Sequence, residues 1–386
     1  MPDSLSLPPM ILSKLDADVQ AANNGKLFIA ETFWRDHSKL LLEHGYSLRK
    51  RYQPDWVASW LDKPDKAMGD CEDGVYHRFP QIIDAVRADG TLVALKRINL
   101  LTHPQEAEIG TLLSSKTLAS HPKNHCVPIL EVIPIPDDHN TVVIVMPLLY
   151  PNEYPPFETI GEAVEFLRQI LEGLQFMHQN NIAHRDCKYD NIMADALPLY
   201  DSPPHPFRLE QKRDFSGSPP LSSSRTRTPI KYYLVDFGLS KIYKADDAPY
   251  LELPWGAGDK TVPEFKSKDG TLCDPFRVDV YCIGNAVRQN FLETRGNLGY
   301  EYPKRGFGFL RELVLDMVKE DPNERPTMDE VVARFTDLTG RLSNWKLRSR
   351  VALVNEKPLT RALRSLVHWA RQLEAIRLGM PAIPRS

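Results

Sequence analysis
Apolar positions change their period along this chain. Between residues 160 and 179, Val164, Leu167, Leu171, Leu174 and Met177 recur at three- and four-residue steps, which places them on one face of a helix. Ahead of it, Ile82-Ile83-Asp84-Ala85-Val86, the polar break Ala88-Asp89-Gly90 and Thr91-Leu92-Val93-Ala94-Leu95-Lys96 read as strand, turn, strand. Val127 to Ile133 and Thr141 to Met146 supply two further strands. Residues 27 to 61 carry Phe33, Trp34, Leu40, Leu41, Tyr46, Trp56 and Trp60 at spacings compatible with helix, followed by an acidic loop, Asp70 to Asp73. Packing of this layer on the main body is expected, because tryptophan is usually largely buried. Helical spacing returns over about 307 to 340 and 360 to 378. Four regions follow: a helical extension at 1–74, a strand-rich lobe at 75–150, a helical lobe at 151–340 and a basic helical extension at 341–386. Within the third, residues 200 to 230 hold six prolines and six serines, which predicts a mobile insertion and not a packed element.

Composition narrows the class. The chain has 386 residues, 42% apolar and 26% charged, an ordinary globular balance with room for two or three compact units. A net charge of -3 gives no basic footprint for general binding to nucleic acid or membrane. The charge is uneven, since residues 341 to 386 carry ten Lys and Arg against Glu356 and Glu374, making that stretch +8 and the remainder -11. A helix with a solvated basic face covering its own core is expected there, with an acidic partner as the alternative. The five cysteines, Cys71, Cys126, Cys187, Cys273 and Cys282, are widely spaced and form no C-x-x-C pair, so neither a disulfide framework nor a zinc site is suggested. Met1 to Leu15 has no basic start, and the longest apolar run, Thr141 to Tyr150, falls far short of the roughly 20 residues of a membrane span. Cytosol or nucleus is the expected location.

Chemistry concentrates in two ordered motifs. His184-Arg185-Asp186-Cys187-Lys188-Tyr189-Asp190-Asn191 follows the long helix, and Asp236-Phe237-Gly238 follows a later apolar run. Phosphoryl transfer needs a carboxylate to accept the substrate hydroxyl proton, a cation near the transferring phosphate and oxygen ligands for Mg²⁺. Asp186, Lys188, Asn191 and Asp236 suit those tasks. With these motifs the sequence resembles the eukaryotic protein kinases over roughly residues 75 to 340. The resemblance implies an α+β, two-lobed fold with a small strand-rich N-lobe and a larger helical C-lobe. It also implies ATP and Mg²⁺ as cofactors, with Asn191 and Asp236 as metal ligands. Val93-Ala94-Leu95-Lys96 matches the family's V-A-I-K strand, so Lys96 is expected on the nucleotide's α and β phosphates. Glu108 is its expected carboxylate partner, preferred to Glu106, which reads as a solvated helix-start acid. Ala94, Met146, Leu148 and Met193 are implied around the adenine, with Met146 as gatekeeper and Met193 as floor. Glu264 is expected to pair with Arg325, and Asp279 to fix the catalytic-loop backbone. Lys188 two residues after Asp186 is the spacing of serine/threonine-directed members. Arg185 would pair with a phosphorylated activation segment, for which Ser240, Tyr243, Tyr250 and Thr261 are the acceptors. Within the family the sequence looks closest to divergent kinase-like proteins of fungi, through Asn124-His125-Cys126-Val127-Pro128, Val145-Met146-Pro147-Leu148-Leu149 and Gly45-Tyr46-Ser47-Leu48-Arg49.

The pattern is broken in two places. No glycine occurs from 75 to 89, where the glycine-rich phosphate loop belongs, and Val75, His77 and Pro80 fall near its glycine positions. Glycine lets backbone N–H groups approach phosphates closely, and proline has no N–H to offer. In Trp255-Gly256-Ala257-Gly258-Asp259-Lys260, Ala257 and Lys260 stand where the family has threonine and tyrosine. Three functions compete on this reading: a serine/threonine protein kinase acting on a protein substrate with Asp186 as base, a catalytically weak or inactive kinase-fold scaffold, and a small-molecule phosphotransferase.

Overall fold
In the computed structural model, residues 20–62, 65–77, 79–244, 246, 248–255, 258–266, 270–293 and 302–385 are described. The chain crosses between two compact units several times: Met1–Ile98, Leu130–Leu148 and Tyr200–Pro220 make the first, and Asn99–Ile129, Leu149–Leu199 and Leu221–Ser386 the second.

The first unit is built on a five-stranded sheet of β1 (Tyr46–Leu48), β2 (Ile82–Arg87), β3 (Leu92–Asn99), β4 (Glu131–Ile135) and β5 (Asp138–Pro147), in the order β1-β2-β3-β5-β4. β2 and β3 flank the turn at Gly90, whose φ of 87° suits a residue without a Cβ. One face carries the core: Ile83, Ala85, Val93, Leu95, Ile133, Val143 and Val145 pack with Trp34, Leu41, Tyr46 and Tyr52. Trp34 is fully buried and its Nε1 donates to the carbonyl of Pro80 at 2.7 Å, so the tryptophan layer does seal the sheet. Beside it, buried Arg51 forms a two-pronged pair with Glu31 at 2.9 and 2.7 Å, and Tyr52 donates to the same carboxylate at 2.9 Å.

Two expectations for this unit need correction. Residues 27 to 61 are not wholly helical: Thr32–Asp36 and Ser38–Glu43 are short helices, and the chain then enters β1, pairing Tyr46 with Arg87 and Leu48 with Ala85. The strand ahead of β2 thus lies inside the segment assigned to an extension, and residues 49 to 81 connect the two strands in place of a tight loop. The insertion is also packed. Pro204–His205 and Arg208–Lys212 form an antiparallel hairpin in the first unit. In the second, Arg225 and Thr226 are buried, with Arg225 donating to the Asn152 carbonyl at 2.9 Å and Thr226 to Glu162 at 2.7 Å. Proline and serine set no apolar period, but charged side chains between them find buried partners.

The second unit is helical: α1 (Glu106–Leu113), α2 (Ile160–Gln179), α3 (Pro275–Val287), α4 (Met328–Gly340) and α5 (Pro358–Arg377). α2 starts at Thr159, whose hydroxyl accepts from Glu162 N at 3.0 Å while the Glu162 carboxylate returns to Thr159 N, a capping box that fixes the register of its apolar face. Short strands Ile192–Ala194 and Tyr232–Leu234 pair antiparallel, Ile192 opposite Leu234. The basic side chains Arg364, Arg371 and Arg377 of α5 are solvated as expected, but its large apolar residues do not form the face that covers the core. The helix docks through His368, Gln372 and Ala375, with His368 Nε2 at 2.7 Å from the Arg348 carbonyl, and leaves Leu359, Leu363, Leu366 and Leu373 exposed. Among the described residues, no helix is long and apolar enough to cross a membrane.

Candidate active site
The H-R-D segment enters from the end of α2 through the turn residue Asn181 (φ 55°) and the strand Ile182–Ala183. Arg185 then takes φ 65°, an uncommon conformation for a side-chain-bearing residue, and Asp279 of α3 holds it there. Asp279 is fully buried. Its Oδ2 accepts from His184 N and its Oδ1 from Arg185 N, both at 2.7 Å, and His178 Nε2 lies 3.0 Å from Oδ2. Cys187 adds its thiol to the Asp279 carbonyl at 3.3 Å, and burial pushes that thiol well above its ordinary pKa. Asp279 therefore acts on the loop backbone, as expected.

That backbone brings Asp186, Lys188 and Asn191 together. Asp186 Oδ2 receives Lys188 Nζ at 2.7 Å and Asn191 Nδ2 at 2.8 Å, and the same Asn191 amide reaches the Asp186 carbonyl at 3.0 Å. Asp186 Oδ1 is buried without a hydrogen-bond partner among the described residues. A Cβ on Gly258 would stand 3.0 Å from it, and Gly258 has φ 83°, so glycine is required there on both counts. Val235 N donates to the Asn191 carbonyl at 2.9 Å, which sets Asp236 beside Asn191 at the end of the ladder, in the left-handed region with φ 67°. Asn191 directs its side-chain NH₂ at Asp186, and Oδ1 is the other polar atom of that side chain. An amide oxygen next to a carboxylate is a donor set that fits a hard cation such as Mg²⁺. Met193, two residues on, is half-buried and pairs with Tyr233.

The two glutamates of α1 exchange the expected burial. Glu108 is exposed, whereas Glu106 is 3% exposed, and its Oε2 lies 3.2 Å from where a Cβ on Gly238 would be. His103 Nδ1 contacts the Gly238 carbonyl at 2.8 Å. The helix start is thus folded against the D-F-G backbone, and a residue placed there is not solvated.

Behind the loop, Arg185 meets a carboxylate that the sequence reading did not single out. Its Nη2 lies 3.3 Å from Glu252 Oε2, its guanidinium sits 4.2 Å over the Trp255 ring, and Lys241 Nζ bonds the other Glu252 oxygen. Glu252 is the sole acid between Ala248 and Gly258 in the sequence, the one signal that could have drawn attention to it. Of the expected phosphate acceptors, Ser240 is buried and donates to the His184 carbonyl at 3.0 Å, and Tyr243 is buried as well. Glu264 and Arg325 form the expected pair, two-pronged at 2.7 Å on each oxygen. Ala257 lies outside the described residues.

The first unit holds the remaining candidates. Ala94 and Lys96 alternate with the core residues Val93 and Leu95 on β3 and so share the opposite face, where Lys96 is 9% exposed. Met146 at the end of β5 is half-buried, and Leu148 is buried with its N–H on the Leu92 carbonyl at 3.2 Å.

Comparison with known proteins agrees with this geometry. Residues 78–253 match the protein kinase domain family. The chain is 23% identical over 185 residues to a serine/threonine-protein kinase of Acanthamoeba polyphaga mimivirus, covering 44% of this chain and 54% of that one. It is 31% identical over 170 residues to the NUAK family SNF1-like kinase 2 of Rattus norvegicus, covering 40% of this chain and 22% of that one. With the serine/threonine-protein kinase PLK1 of Xenopus laevis it shares 23% over 189 residues, 45% of this chain and 25% of that one. The matches span about half the length of the first relative and about a quarter of the other two. With the ordered catalytic-loop and D-F-G geometry, the Glu264–Arg325 pair, a five-stranded sheet in the first unit and helices in the second, these matches mark a two-lobed α+β kinase fold, and residues 78–253 belong to the protein kinase domain family.

Proposed function
We propose that the chain transfers the γ-phosphate of ATP to a serine or threonine hydroxyl of a protein substrate. The observation that carries this reading is the Asp186 carboxylate: one oxygen is fixed by Lys188 and Asn191, and the other has no hydrogen-bond partner among the described residues. A carboxylate so oriented can accept the hydroxyl proton as the oxygen attacks. Lys188 keeps positive charge beside the place where phosphate charge develops. Asn191 and Asp236 would hold Mg²⁺, which when bound neutralises phosphate charge. Lys96 would contact the α and β phosphates, with Ala94, Met146, Leu148 and Met193 around the adenine. Glu106 is buried against Gly238 whereas Glu108 is exposed, which favours Glu106 as the functional carboxylate of α1. Five free, buried cysteines support a reducing compartment, cytosol or nucleus.

A labelled-ATP assay with a generic protein substrate tests the reading. Asp186→Asn is expected to lower transfer by about 10²- to 10⁴-fold, the usual contribution of a general base. Equal signal from both proteins would sink it.

One observation favours a second reading, a nucleotide-free scaffold. The connection of β1 to β2 is the long segment 49–81, which carries Pro80 and has no glycine after Gly74. ATP at 100 times its Kd stabilises a protein by about 2.7 kcal/mol, so absence of any melting shift with ATP, with and without Mg²⁺, would select the scaffold.

A further inference from the structure
The face of β2 and β3 that carries Ala94 and Lys96 also carries a fully buried carboxylate. Asp84 pairs with Ala94 and Ile82 with Lys96, while Ile83, Ala85, Val93 and Leu95 turn the other way into the core. Cross-strand neighbours on one face stand about 5 Å apart, so Asp84 adjoins Ala94 directly. A lone buried carboxylate is costly. Here two arginines answer it: Arg213 Nη2 lies 2.7 Å from Oδ2, and Arg49 Nε 3.0 Å from Oδ1. Burial alone would raise the Asp84 pKa, and the two cations override it and hold the acid below its ordinary value.

Arg213 follows directly on the hairpin of the insertion, and the hairpin itself is locked to the same place. Arg49 sits 5.3 Å over the Phe207 ring, and its Nη1 is 3.1 Å from Glu72 and 3.4 Å from His205 Nε2. His205 is 1% exposed, and the His77 ring lies 4.4 Å from Phe207. Charges within this cluster balance as two arginines against Asp84 and Glu72, which makes it a closed unit and not an open anion site.

We propose that residues 204–213 are a built-in cover of the sheet face used for nucleotide, latched by Arg213 and Arg49 on Asp84, and that nucleotide affinity is set by how often this latch opens. The inference rests on the kinase reading, in which an adenine needs a flat apolar surface at Ala94. With the hairpin seated, Asp84 is sealed by guanidinium groups. With it lifted, Asp84 faces the space beneath Ala94. When only a fraction of the molecules is competent, the apparent Kd rises by the inverse of that fraction.

The test compares Mg²⁺-ADP binding by calorimetry in three full-length proteins: the wild type, Asp84→Val with Arg213→Ala, and Asp84→Val with residues 204–213 replaced by Gly-Ser-Gly. The first variant removes Asp84 together with Arg213 and leaves Arg49 on Glu72, so the melting midpoints of all three proteins are measured beside the affinities. Trypsin cleavage at Arg208 and Lys212 reports release of the hairpin in that variant without reference to nucleotide. Expected is a Kd at least about tenfold tighter in both variants, corresponding to a competent fraction near a tenth in the wild type. Binding of equal strength in all three proteins overturns the latch and leaves the kinase reading standing. Absence of ADP binding in all three, with melting transitions intact, overturns the nucleotide reading and the latch with it.

Discussion
Arg185 and Glu252 form an ion pair immediately behind the catalytic loop, 3.3 Å between Nη2 and Oε2, with Lys241 on the second carboxylate oxygen. Two cations from separate segments thus share one carboxylate, and one of them is the chain neighbour of Asp186. The Glu252 backbone is fixed in turn by bridging Cys273, N to O at 3.0 Å and O to N at 2.7 Å. Glu252 thus gives Arg185 the anionic partner that the family resemblance assigns to a phosphorylated activation segment. Hydrogen bonds to charged groups contribute about 1.5–3 kcal/mol. Glu252→Gln is therefore expected to lower kcat about tenfold while the KM for ATP changes little. Phosphatase treatment of the wild type is expected to leave its rate unchanged; a rate that collapses after dephosphorylation would show that Glu252 does not supply this charge.

Glu106 and Glu108 separate by burial alone. Glu108→Gln alters an exposed side chain, and both stability and transfer rate are expected to stay near wild type, within about 0.5 kcal/mol. Glu106→Gln changes a carboxylate folded against Gly238 and is expected to reduce transfer by an order of magnitude or more. Steady-state rates of the two variants side by side decide the matter, and equal losses would refute the assignment.

In the insertion, proteolysis should follow burial and not composition. Arg225 is 3% exposed, with its guanidinium 4.5 Å over the Phe157 ring, whereas the Arg227 side chain is half exposed and pairs with Glu374 on the surface. Trypsin is expected to cut after Arg227 long before Arg225. Mass spectrometry of the first fragments reads this directly, and early cleavage at Arg225 would mean that the buried turn opens in solution.

These contrasts mark where local pattern carries information and where it does not. The helix at 160–179, the β2-turn-β3 unit and the H-R-D and D-F-G loops were legible because period, turn chemistry and motif are local. β1 was not: Tyr46 pairs with Arg87, and no local period announces a partner so far along the chain. Glu106 and Glu108 differ by two residues, or about 200° around a helix, so a small error in phase exchanges inside for outside. In α5 the amphipathic pattern was plain, but a pattern says only that two faces differ. Buried partners for His368 and Gln372 decided which face docks. The hairpin at 204–212 depends on Arg49 and Asp84 far upstream, a relation that proline and serine content conceals.

His125 gives a pH dependence whose sign can be fixed. Burial, reinforced by the positive charge of Arg168, lowers its pKa from 6.5 to about 4, and neither ring nitrogen has a hydrogen-bond partner among the described residues. Above pH 6.5 neither the folded nor the unfolded chain protonates this ring, and it contributes nothing to the pH dependence. Below 6.5 the unfolded chain takes up a proton that the folded chain refuses until about pH 4, so stability falls as pH drops through that window, by up to about 1.4 kcal/mol per pH unit. His77, His205 and His368 are lowered by burial as well and act with the same sign. Asp84 and Glu72 are held below the ordinary carboxylate range, so their protection is lost only under more acid conditions. Urea midpoints measured from pH 7.5 down to 5 should therefore decline, and His125→Leu should make that decline shallower without lowering the midpoint at pH 7.5. A variant that keeps the full wild-type slope would show that the His125 ring takes up a proton as readily in the folded chain as in the unfolded one.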